Sequence, residues 1–186
     1  SFLTNNPTKS FKDYLKKLFM LTGNDEATAQ KKMEAVLAIE TRIAKASYDN
    51  VKLRDIDANY HKMSYLQLVA DYPGIDWGNV LLASGFPAID SVDVSQPEPI
   101  HEVEKILNDT PLEDLKTYAE SRIISGASGC LSDDFRKASF ELSSVMSGVK
   151  QDRPRWKRAV SLVSGNMGEA IGKLYVEKYF PESSKK

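Results

Sequence analysis

The chain has 186 residues, 41% hydrophobic and 27% charged, with 25 Lys and Arg against 26 Asp and Glu. This is the composition of a globular protein long enough to bury a core. A net charge of −1 gives no overall pull toward nucleic acid, and no stretch approaches the roughly 20 apolar residues of a membrane span.

The chain opens with SFLTNNPTKSFKDYLKK, which lacks the charged, apolar and cleavage regions of a signal peptide and has no initiator Met. We expect a processed or excised piece of something longer. Phe11, Tyr14, Leu15, Leu18 and Phe19 recur at spacings of three and four. That predicts a helix capped by Ser10 and closed by Gly23. A longer helix is predicted from about 25 to 48, with Ala29, Met33, Val36, Leu37, Ile43 and Ala44 on one side. Glu40 interrupts that side. We read it as an edge position, the alternative being a buried partner for an arginine. Ser64 and Gln67 form a capping box for a short helix to about Ala70. Pro73 and Gly74 turn the chain, and Asp76 caps a helix from Trp77 to about Ser84. Val92 and Val94 alternate with polar residues, so one short extended segment is expected near 91–95.

Ile100, Val103, Ile106 and Leu107 then mark a helix, and it contains the stretch HEVEK, residues 101–105. Thr110-Pro111-Leu112-Glu113 predicts the next start, with a capping box and Pro at the first helical position. GASG ends that helix. Ser132 opens another to about Ser147, with Phe135, Ala138, Leu142, Val145 and Met146 inward and Gly148 closing it. The last block, DRPRWKRAVSLVSGNMGEAIGKLYVEKYF, predicts two helices, or one kinked near Gly165. The fold class expected is all-α, an array of about eight to ten helices in a single domain over 1–186, with a frayed tail at 182–186.

Motifs for chemistry are weak throughout. His101-Glu102 begins like the zinc signature HExxH, but the position one turn later is Lys105, a cation at neutral pH. His61 is the one other histidine. His101 reads as a solvent-facing residue. Cys130 is alone, so no internal disulfide can form, and it reads as an inert buried residue. GEAIGK at 168–173 has the wrong spacing for a P-loop and lies in a helical pattern. Gly168 and Gly172 read instead as small residues admitting a close helix. Asp133-Asp134 and Asp55/Asp57 fall at a helix start and in a turn, where carboxylates serve the backbone. Lys150, Arg153, Arg155, Lys157 and Arg158 surround Trp156. We expect them in a salt-bridge network within the fold or with another domain. The alternative is a stand-alone helical module that binds an anionic partner there. No catalytic, cofactor-binding or metal residue is assigned.

Taken in order, these segments resemble the neprilysin-type zinc metalloendopeptidases. The residues that carry the likeness are Pro154-Arg155-Trp156-Lys157, Gly172-Lys173-Leu174-Tyr175-Val176, Phe180 and Ser184-Lys185. Upstream, Ile39, Glu40, Ile43 and Ala44 fit the family's helix. Arg54, Asp55, Tyr60, His61, Lys62 and Met63 fit its turn. PGIDW, SQPE, TPLEDLKTY and LSDDF follow in family order. The similarity runs from about Phe11 to Lys185. Bacterial, oligopeptidase O-like members are nearest, since Ala159 stands where the vertebrate pattern has Cys. Leu53, Pro99 and the stretch Ala119 to Ser121 depart from the family pattern.

The resemblance implies a large two-lobed helical protein with a central cavity. HExxH, a downstream Glu-x-x-x-Asp and an Asn-Ala-aromatic motif would lie in a catalytic lobe, and none of them occurs here. This chain would be the helical lid N-terminal to that lobe, inactive alone and holding no cofactor. Its implied partners are the zinc catalytic domain of the same polypeptide and, through it, short peptide substrates. The parent is expected in the periplasm or outside the cell, with the cytoplasm open.

Overall fold

The computed structural model describes residues 7–86, 88–181 and 183. Nine α-helices, two short 3-10 helices (Lys52–Arg54 and Ser128–Cys130) and one two-stranded sheet make up the regular structure of those residues. The all-α expectation is met. The expected frayed tail falls on residues that, Ser183 apart, lie outside those described.

Two compact units divide at Leu142 and Ser143. In the first, α1 (Pro7–Leu21) and α2 (Glu26–Ala46) pair closely. α1 already includes Pro7 to Ser10 rather than starting after Ser10, so Ser10 lies within the helix and does not cap it. The expected apolar stripe is the one buried. Leu18 and Phe19 are 0% exposed, and they meet Ala29, Met33 and Val36 of α2. Gly23, at φ +92°, closes α1 in the left-handed conformation that glycine adopts without strain. Asp25 then caps α2 by accepting from the Thr28 N–H at 2.7 Å. α6 (Leu112–Ala127) and the first part of α7 (Asp133–Ser147) complete this core through Tyr118, Ile124, Phe135 and Ala138.

A smaller core lies in the middle of the chain. The capping box of Ser64 and Gln67 forms and opens α3 (Tyr65–Asp71). Asp76 caps α4 (Trp77–Ala83) through the Asn79 N–H at 3.1 Å. The expected extended segment is β2 (Ser91–Asp93). It pairs antiparallel with β1 (Lys62–Ser64), Met63 opposite Val92. Leu68, Tyr72 and Val94 are buried between these pieces and α5 (Pro97–Asp109).

Three local expectations fail. Thr110 makes no capping box: Pro111, with an extended ψ of 138°, takes the N-cap position and moves the helix start one residue on. Ala44 and Met146, expected inward, are exposed, and Ile39 is buried instead. Cys130, expected to be buried, is exposed.

The second unit holds α8 (Arg155–Asn166) and α9 (Gly168–Tyr179). The break falls at Met167, φ −129° and ψ 32°, and Gly165 stays within α8. Neither helix contains a buried residue.

Candidate functional site

The HEVEK helix was the strongest sequence hint of metal chemistry, and the fold uses its residues for cohesion. Arg42, on α2, donates from Nη1 and Nη2 to both carboxylate oxygens of Asp109, at 2.7 and 3.0 Å. Its Nε donates to Glu102 Oε1 at 2.7 Å. One planar guanidinium therefore clamps two turns of α5 to α2. Hydrogen bonding from Arg42 holds the Asp109 carboxyl below its ordinary range. Lys105 lies 4.0 Å from the other Glu102 oxygen.

The histidine of this stretch also packs rather than ligates. The His101 ring lies against Tyr72, centroids 4.5 Å apart, and Nδ1 is 3.9 Å from Glu104. Glu104 accepts from the Gly74 N–H, tying α5 to the turn after α3. Thus His101 is half-exposed, with one face covered by Tyr72. Burial raises the Tyr72 phenol above its usual range.

His61 sits before β1. Its N–H donates to Asp93 Oδ1 at 2.8 Å, and its Nδ1 is buried without a partner. That orphaned nitrogen is the nearest approach to a ligand. Yet among the described residues no group of three or more His, Cys, Asp or Glu is placed to hold a metal. The described residues do not fit zinc.

A polar knot lies where the chain leaves α2. The Tyr48 hydroxyl donates to Glu98 Oε2, and Lys52 Nζ lies 3.4 Å from the Tyr48 ring centroid. That hydrogen bond lowers the Glu98 pKa and raises that of Tyr48. Such a knot fastens the loop after α2 to α5.

Glu40 is not a plain edge residue. Half-buried, it accepts from the Tyr118 hydroxyl at 3.1 Å and lies 3.6 Å from Arg122 Nη1. The alternative of an arginine partner is the closer description. The acidic pairs do serve local structure: Asp133 meets Arg136 at 3.2 Å, and Asp55 accepts from the Ala58 N–H at 3.0 Å.

In the basic cluster, Arg158 pairs with Asp152 at 3.7 Å and donates to the Arg153 carbonyl. Arg153, Arg155 and Lys157 are exposed beside an exposed Trp156, and Lys157 Nζ lies 5.4 Å from the Trp156 ring centroid. Within the described residues of the second unit, a Cβ added at Gly168 or Gly172 would meet nothing within 4 Å, so the close approach expected at either glycine is not made there.

Comparison with known proteins explains the missing chemistry. Residues 4–186 match the N-terminal profile of Peptidase family M13. Endothelin-converting enzyme 1 of Rattus norvegicus is 31% identical over 175 residues, 89% of this chain and 22% of that protein. Neprilysin-2 of Drosophila melanogaster is 28% identical over 188 residues, 92% of this chain and 24% of that one. Among solved structures, the zinc metalloprotease Zmp1 of Mycobacterium tuberculosis in its open state matches with TM-score 0.88 and 32% identity. That match covers 96% of this chain and 28% of Zmp1. Zmp1 in complex with an inhibitor matches with TM-score 0.86 and 31% identity, over 95% of this chain and 28% of that one. The chain thus spans about a quarter of the length of the relatives it matches. It belongs to Peptidase family M13, the neprilysin-type zinc metallopeptidases, and forms their N-terminal helical region.

Proposed function

We propose that this chain is the helical lid of a zinc-dependent endopeptidase that hydrolyses short peptides. Its role is to cover the central cavity and limit which substrates enter. The zinc and the groups that use it belong to a catalytic domain elsewhere in the same longer polypeptide. One observation carries this reading: the match to zinc metallopeptidases runs through residues 4–186, yet no described residues gather to hold a metal. The solved relative Zmp1 has been seen in open, partially open and inhibitor-bound forms, which fits a covering part that moves.

What this chain supplies is a cohesive wall. The Arg42 clamp and the α1–α2 core fix helices that a lid must carry as a body. The test is to extend the reading frame beyond Lys186, express the longer protein, and assay quenched peptides of increasing length. We expect zinc-dependent cleavage of short peptides, falling off steeply for large unfolded proteins. The 186-residue chain alone should give no turnover. Equal cleavage of short and very long substrates would remove the gating role. One tight zinc per isolated chain, lost on changing His61 or His101, would overturn the whole reading.

A further inference from the structure

We infer that residues 49–95 form a flap that opens and recloses as one piece on the rest of the first unit, with the junction of Tyr48, Gln96 and Glu98 as its latch. The chain leaves α2 at Ser47 and enters α5 at Pro97. Everything between is one excursion, and its two ends meet. The Tyr48 N–H donates to Gln96 Oε1 at 3.0 Å, and the Tyr48 hydroxyl donates to Glu98. Lys52 Nζ reaches the same carboxylate at 3.9 Å while covering the Tyr48 ring. Side chains therefore close the neck. Just inside it, the His61 carbonyl accepts from the Val94 N–H at 3.2 Å, and β1 pairs with β2.

Beyond the neck the excursion holds itself together around Leu68, Tyr72 and Val94. Among the described residues, Ile100 of α5 is the one outside member of this core, and the α1–α2 core takes nothing from 49–95. A stretch with its own core and few apolar contacts across its border opens separately from the remainder. What binds it is one side of α5. His101 lies on Tyr72, centroids 4.5 Å apart, and Glu104 accepts from the Gly74 N–H. The same helix is anchored the other way, because Arg42 of α2 grips Glu102 and Asp109. α5 therefore stays with α2 as the flap lifts, and the parting surface runs along His101 and Glu104. Gly74 sets how closely that surface fits. A Cβ built there would lie 2.7 Å from Glu104 Cγ and Oε1, so any side chain would push the carboxylate off its bond. The residue is not at positive φ, so alanine would add this wedge without backbone strain. A lid role in the parent enzyme is not required for any of this.

Amide exchange of the 186-residue chain, read residue by residue by NMR, tests the flap in three proteins: the unaltered chain, Tyr48→Phe and Gly74→Ala. The first substitution removes the donor to Glu98, the second displaces Glu104, and neither touches a core. In the unaltered chain the Leu68, Tyr72 and Val94 amides should exchange through an opening that leaves Leu18 and Val36 closed. Each substitution should speed the flap amides about tenfold, the size expected for one lost hydrogen bond to a charged group, with Leu18 and Val36 unchanged. Flap amides that exchange only with global unfolding, or that accelerate in step with Leu18 and Val36, would show one cooperative body and overturn the flap. Rates unchanged in both variants would do the same. Acceleration in Gly74→Ala alone would overturn Tyr48 as the latch.

Discussion

At the residue scale, Arg42 is the most consequential side chain outside the cores. It joins α2 to two carboxylates of α5, Glu102 and Asp109. The sign of its pH dependence follows from Asp109. Arg42 depresses this group's pKa in the fold, so its stabilisation is fully present above the ordinary carboxylate value. It fades as pH falls through the lower, folded value. Asp109→Asn should therefore lower the urea midpoint at pH 7, with the two proteins converging as pH falls through the lowered, folded carboxyl value. Parallel midpoint curves across that range would show that the clamp is not coupled to the carboxyl's charge. None of this was legible in the sequence. Asp76 and the Ser64–Gln67 box could be read because their partners lie three residues away. Arg42 reaches across 60 and 67 residues, and only tertiary packing chooses such partners. The same holds for Glu102, whose place after His101 suggested a metal site although its partner is an arginine.

At the scale of elements, burial separates helices that hold the fold from helices that do not. Leu18 is fully enclosed between α1 and α2. Leu18→Ala should cost about 2–5 kcal/mol of unfolding free energy, since α2 cannot close over the lost volume. Val160→Ala, at an exposed position of α8, should change the isolated chain's stability by no more than about 0.5 kcal/mol. Urea titrations of the two variants decide this, and a comparable loss in both would mean that α8 packs against something in the chain. Periodicity found the α1 stripe in the sequence, because period 3.6 reports an amphipathic face whether or not a neighbour covers it. It could not say which face was covered. It also missed β1: three residues are too few for alternation to register, and the strand exists because β2 offers it partners.

At the scale of the whole chain, the family was legible and the chemistry was not, for one reason. Family membership rests on an ordered set of short motifs, and those survive in any fragment that contains them. Zinc chemistry requires ligands brought together in space, and the described residues bring none together. On the proposed lid reading, local stability should also be uneven. The first unit buries Leu18, Phe19 and Val36 and ties its helices with Arg42. α8 and α9 bury nothing. Amide hydrogen exchange of the isolated chain should follow that division. Amides in the middle of α1 and α2 should open only with global unfolding, while those of α8 and α9 exchange through local opening with far smaller protection. Equal protection of α2 and α8 in the isolated chain would show that the hairpin is held as firmly as the first unit, although neither of its helices contains a buried residue.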